Sequence, residues 1–148
     1  MKCTHNVGEK RNYKWIWFAV DRLGKRFINF VCGARYTATG LKLWEKIKHL
    51  QVNSYASDYW RSYEDFLPSE KHIQSKEVTY TVESYNSRVR HYLARFKRKP
   101  KCYSKSLEMI VISLNLLINK LNNYNWYNWV TIPNNNLILY QTVKKNTV

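Results

Sequence analysis

Apolar residues fall along the chain in short blocks whose spacing changes from one block to the next. Trp15 to Val20 (WIWFAV) is a continuous apolar run bounded by charged residues, which predicts a buried strand. Leu23-Gly24-Lys25 is a turn sequence. Phe27 to Cys32 (FINFVC) predicts a second strand, paired antiparallel to the first through that short connection and ended by Gly33. The spacing then becomes helical: Leu43, Trp44, Ile47 and Leu50 share one side of a helix that Thr37 or Thr39 can cap. Val52 to Ser57 predicts a short strand with Asp58 at its end, and Trp60 to Leu67 a helix stopped by Pro68.

Further on, Val82, Tyr85, Val89, Tyr92, Leu93 and Phe96 recur at helical spacing, so a helix is expected from a cap at Thr79 or Thr81 to Lys97. Glu83, Asn86 and Arg90 occupy an adjoining strip of that helix. Pro100 interrupts the chain, and Ser104 can cap a last helix carrying Leu107, Ile110, Val111, Leu114, Leu117, Ile118 and Leu121. After Leu121 the composition turns rich in Asn. Trp126 to Ile132 and Leu137 to Tyr140 are apolar pieces that either pair as strands or belong to a poorly ordered tail. The expected organisation is one domain over residues 1–121 and an Asn-rich tail over 122–148. Two strands, a helix, a strand and further helices predict an α/β fold, a mixed sheet flanked by helices. A carboxylate just past a strand end is where such sheets place their chemistry.

Composition narrows the function. Of 148 residues 45% are hydrophobic, enough for a packed core. The formal net charge is +15, from 25 Lys and Arg against 10 Asp and Glu. Like charges repel in a compact state, so an excess of this size points to a polyanionic partner, nucleic acid or an anionic membrane. The membrane is the weaker of the two, because no apolar run approaches the roughly 20 residues of a spanning helix. The polar N-terminus does not read as a signal peptide. Cys3, Cys32 and Cys102 are too scattered for a disulfide framework and fit a reducing cytosol.

Acidic residues are scarce, yet Asp58, Glu64, Asp65, Glu70, Glu77 and Glu83 all lie in one segment. Hard divalent cations want oxygen ligands, one or two carboxylates completed by water and phosphate. Glu64, Asp65, Glu70 and Glu77 read as solvated surface charges. Asp58, after an apolar strand, and Glu83, opening an amphipathic helix, are the candidates for a cation site. His5, His49, His72 and His91 show no metal-ligand spacing, and with four glycines in the chain no phosphate-cradling loop is present. From Ser84 to Leu107 there is no acidic residue but eight basic ones, Arg88, Arg90, Arg95, Lys97, Arg98, Lys99, Lys101 and Lys105. That stretch is either a solvated face or a phosphate-binding surface beside Glu83.

Several blocks are similar to the transposases of the bacterial insertion sequence 1 family: Val7-Gly8, Arg11 to Arg22 (RNYKWIWFAVDR), Ser57 to Leu67 (SDYWRSYEDFL), His72 to Lys76 (HIQSK) and Val82 to Ser106 (VESYNSRVRHYLARFKRKPKCYSKS). The resemblance runs to Leu107. It implies a ribonuclease-H-like fold, an Asp-Asp-Glu triad holding Mg²⁺ or Mn²⁺, double-stranded DNA (element ends and target) as partner, and a cytoplasmic, nucleoid-associated setting. A homo-oligomer is a further expectation. The second Asp of the triad falls on Asp58 and the Glu on Glu83. His72, Lys76, Asn86, Arg90 and Arg95 also fall on recurrent family positions.

The first Asp has no counterpart: its stretch falls on Met1-Lys2-Cys3-Thr4, none of them acidic. Asp21 matches a non-catalytic family Asp. The resemblance therefore implies a copy shortened at its N-terminus, with its first strand incomplete and its triad broken. Three alternatives stand beside that reading. They are a DNA-binding remnant without catalysis, an unstable fragment with open sheet edges, and a structure-specific nuclease using Asp21 or Glu9 as replacement ligand.

Overall fold

The computed structural model describes residues 4–6, 13–77, 80–96, 104–123 and 136–141. Strand β2 (Tyr13–Asp21) is the spine of its sheet. Successive side chains of a strand point to opposite faces. Ile16, Phe18 and Val20 enter one core cluster, while Trp17 and Ala19 enter the other, and all five are fully buried. Burial on both faces explains why this segment reads as an unbroken apolar run rather than an alternation.

Strand β3 (Arg26–Gly33) pairs antiparallel with β2, as the sequence predicts. Asp21 builds the turn between them. Its carboxylate, 2% exposed, accepts the N–H groups of Leu23 and Gly24 at 3.0 Å and Arg26 Nε at 3.3 Å. Lys25 closes the turn at a φ of 49°, the left-handed region. Both oxygens of Asp21 are engaged in this turn, which gives the residue a structural role.

The other edge of β2 carries two strands end to end. Strand β1 (Thr4–Asn6) pairs with Tyr13 to Trp15, and β6 (Asn136–Gln141) pairs with Trp17 to Asp21, both antiparallel. Beyond β6 follow β4 (Ser54–Ser57) and β5 (His72–Gln74), each parallel to its neighbour. Thus β6 joins an antiparallel half of the sheet to a parallel half. Among the described residues it is the sole strand hydrogen-bonded to both halves. The sequence left residues 137–140 open between a strand and a loose tail. They form a strand, placed in the centre of the sheet between β2 and β4; the apolar piece at 126–132 lies outside the described residues.

Helix α1 (Thr37–Ile47) covers one face, burying Leu43 and Ile47 with Trp17, Tyr55, Tyr63 and Leu67. Helices α2 (Tyr80–Tyr92) and α3 (Leu107–Asn123) cover the other. Val82, Tyr85 and Val89 of the former and Ile110, Leu114, Leu117 and Ile118 of the latter pack on Ile16, Phe18, Phe27 and Phe30. Asn122 ties α3 to the hairpin, accepting the Phe27 N–H at 3.1 Å and donating to its carbonyl at 2.9 Å.

Several expected boundaries move. No threonine caps α1: Tyr36 is the residue before the helix, and Thr37 donates its hydroxyl to Asp65 at 3.2 Å instead. The expected helix at 60–67 is a 3-10 turn (Arg61–Tyr63) followed by turns, because the segment between Asp58 and Pro68 is too short to propagate an α-helix. Helix α2 ends at Tyr92, not Lys97. A 3-10 turn (Ala94–Phe96) then swings Phe96 into the core and leaves Tyr92 exposed. Ser106, not Ser104, caps α3 by accepting the Met109 N–H at 3.3 Å. No helix among the described residues is long and apolar enough to cross a membrane.

Candidate active site

Because β2 runs opposite to β3 and β6, and β6, β4 and β5 run together, one end of the sheet gathers the start of β2 and the ends of the other four. Asp58 lies there, directly after β4. It is half-buried, and burial pushes its carboxyl above the ordinary carboxylate value, opposed by the Trp60 N–H it accepts at 3.3 Å and by the charge of Arg35. Desolvation beside specific partners at a strand end makes Asp58 a candidate for chemistry.

The peptide that carries Asp58 is fixed from the neighbouring strand. Ser57 is fully buried; its hydroxyl donates to the Asp58 carbonyl at 2.9 Å and lies 2.7 Å from His72 Nε2 on β5. With the hydroxyl proton on the Asp58 carbonyl, the His72 N–H is the donor to Ser57 Oγ. Burial lowers the His72 pKa, opposed by Glu64, so the ring is neutral at pH 7 and suited to this bond. Glu64 in turn accepts Gln74 Nε2 at 2.9 Å. His72, which had no role from sequence, thus positions the end of β4.

Arg35 is the residue that sequence reasoning missed. It follows β3 and its guanidinium stands 5.2 Å from the Trp15 ring centre and 5.3 Å from that of Trp60, with its side chain exposed. The preceding carbonyl, of Ala34, accepts Trp17 Nε1 at 3.4 Å, which anchors the segment. No periodicity marks such a residue; only the tertiary fold brings residues 15, 35 and 60 together.

The remaining candidates are more dispersed. Glu83 lies in the first turn of α2 with its side chain exposed. Tyr80 at the start of that helix is held by Arg22, which follows the opposite end of β2, at 3.0 Å. Asn86 is fully buried, so it belongs to the core stripe and not to the strip of Glu83. Arg88 is exposed and stacks on Tyr85 at 5.3 Å, and Arg95 donates to Ser104 at 3.1 Å. Lys76 and Lys105 are exposed and Arg90 is half-buried. Lys97, Arg98, Lys99 and Lys101 lie outside the described residues, as does Glu9. Among the described residues no three His, Cys, Asp or Glu side chains gather as a metal-binding group.

A stability test follows from Asp58. Its folded pKa is raised, so the stability linked to protonation is present at low pH and is lost as the pH rises through that pKa. Asparagine keeps the acceptor for Trp60 and removes the charge. Asp58→Asn is therefore expected to stabilise the protein at pH 7 by about 0.5–1 kcal/mol, as replacing functional residues often does. The gain should shrink as the pH falls toward 3.8, the ordinary value. Thermal melts at pH 7 and pH 4 check both the sign and the trend.

Comparison with known proteins places this geometry in a family context. The family model described as IS1 transposase matches residues 3–124. The chain is 37% identical over 103 residues to the insertion element IS1 4 protein InsB of Escherichia coli K12, covering 70% of this chain and 62% of that protein. It is 36% identical over 102 residues to the IS1 2 protein InsB of the same strain, covering 69% and 61%. It is 34% identical over 103 residues to an IS1 protein InsB of Shigella flexneri, covering 70% and 79%. The chain thus spans 62% or less of the two E. coli relatives. No solved structure matches it.

Proposed function

The chain belongs to the IS1 transposase family, and from that premise we propose that it acts in DNA transposition, binding duplex DNA at the sheet end that carries Asp58. The observation that carries this reading is a half-buried carboxylate with a raised pKa at a strand end, set beside an exposed arginine in a chain of net charge +15. A ribonuclease-H-like classification is part of the same proposal. It is supported by three antiparallel positions followed by parallel ones in a single sheet with helices on both faces.

Asp58 and Glu83 are the proposed ligands of one Mg²⁺ or Mn²⁺ on the family resemblance; the Arg22–Tyr80 bond sets the start of α2 toward the other end of β2, so sharing an ion requires the first turn of α2 to move toward Asp58. Two carboxylates suit a single hard cation whose shell water and a phosphate complete. When bound, the ion supplies charge neutralisation at the phosphate oxygens during an in-line displacement. The chain's own residues do the positioning: Ser57 and His72 fix the peptide that presents Asp58, and Arg35 offers a cation for a phosphate. Exposed Lys76, Arg88 and Lys105 are proposed as further backbone contacts.

A two-metal site needs a carboxylate bridge and a third ligand, and among the described residues Asp21 is engaged in its turn and no group of three ligands gathers. The 148-residue chain by itself is therefore expected to bind element-end duplexes without measurable strand cleavage. Binding should weaken steeply with salt and persist in Glu83→Ala. Gel-shift and nicking assays in Mg²⁺ or Mn²⁺ separate the outcomes. Robust cleavage would overturn the expected inactivity, and salt-insensitive or absent binding would overturn the DNA reading.

A further inference from the structure

We propose that Arg35, Trp15 and Trp60, with Tyr36 and Tyr59, form a platform for unpaired nucleotides next to Asp58. The inference rests on the DNA reading above and adds a strand class and a binding mode to it.

A guanidinium flanked by two indoles has its orientation restricted before any ligand arrives, while its N–H edge remains available for a phosphate. Trp17, fully buried, holds Trp60 at a ring separation of 5.1 Å, so the stack stands on a rigid base. Two further aromatics adjoin it in sequence. Tyr36 follows Arg35 and is 71% exposed; Tyr59 precedes Trp60 and is 62% exposed. Among the described residues neither ring makes a ring contact or a side-chain hydrogen bond.

Exposed aromatic faces around an arginine are what single strands use. Every base has a π-face to stack, and the cation holds the backbone. A paired duplex keeps its bases stacked on one another and offers such rings nothing but its backbone. Asp58 accepts the Trp60 N–H at 3.3 Å and Arg35 stands over the Trp60 ring, so nucleotides on the platform would lie beside the proposed reaction site. The chemistry selects an unpaired DNA segment flanking the reacting phosphate.

The test uses the full chain in EDTA, which removes any contribution of metal, with a 20-nucleotide oligothymidine and a duplex of equal length as probes. Tyr36→Ala and Tyr59→Ala are each expected to weaken oligothymidine binding about 5- to 100-fold, the range for losing a stacked base. Arg35→Lys, which keeps the charge but not the planar stack, should weaken it about 10-fold. Duplex affinity should change less than about threefold in Tyr36→Ala and Tyr59→Ala, whereas Arg35→Lys, which also faces the duplex phosphates, is read on the single strand alone. Far-ultraviolet circular dichroism confirms that each variant is folded. Wild-type affinity for oligothymidine in all three variants would overturn the platform, as would equal losses on duplex and single strand in the two tyrosine variants. Failure of the wild type to bind either probe would overturn the DNA reading itself, so the two failures are distinguishable.

Discussion

Ile138→Pro is expected to abolish cooperative folding. The backbone of Ile138 is paired with Val20 on one side and with Ala56 on the other. Proline has no N–H to give, and in a central strand it removes a ladder bond and crowds its neighbours, at a cost of about 3 kcal/mol or more. A domain of this size has a total stability of about 5–15 kcal/mol. Here the loss is compounded, because β6 links β2 and β3 to β4 and β5. Urea unfolding followed by circular dichroism should show the cooperative transition lost or its midpoint greatly lowered. An unchanged midpoint would mean that residues 136–141 do not hold the sheet together. The result bears on how the domain is built, since β6 lies beyond the family match at residues 3–124. A segment outside the shared family region fills the centre of the sheet, so the expectation of open sheet edges is not met at that position.

Trp17→Ala carries the second large effect. The indole is fully buried, 5.1 Å from the Trp60 ring and 5.8 Å from that of Tyr63. Helix α1 comes close to it at Gly40, where a Cβ would stand 3.1 Å from the indole and 2.6 Å from Phe66. An alanine would leave a cavity among these packed rings, so the expected loss is about 3–5 kcal/mol. Chemical denaturation measures it directly. The variant should also lose affinity for single-stranded DNA under conditions where it remains folded, because Trp60 and the Ala34 carbonyl lose their support. A loss under 1 kcal/mol, the scale of a surface change, would contradict the packing described.

The parts legible from sequence are those where local pattern and tertiary environment agree. The run 15–20 and the block 27–32 had the strand signal, the turn between them had its Gly, and α1 and α3 had clear apolar stripes. What stayed hidden depends on neighbours. Strand β5 is three residues long, too short for any period, and exists because Tyr55 to Ser57 offer an edge. Strand β6 reads as part of a polar tail until its two partners are known. Helix α2 stops early because Phe96 is worth more in the core than in a continuing helix, and periodicity does not record that choice. At the site, Asp58 at a strand end was readable. Arg35 was not, since its meaning comes from two tryptophans 20 and 25 positions away.

The claim most in need of a direct test is that Asp58 and Glu83 share one divalent ion. Mn²⁺ titration followed by electron paramagnetic resonance, on the wild type and on Asp58→Asn and Glu83→Gln with duplex DNA present, measures it. The expected result is one site in the wild type that both substitutions weaken by at least about tenfold, the lower end of the cost of losing even a residue that supports a metal ligand. Mn²⁺ binding that survives Glu83→Gln undiminished would contradict the shared site and leave Asp58 serving the DNA surface alone.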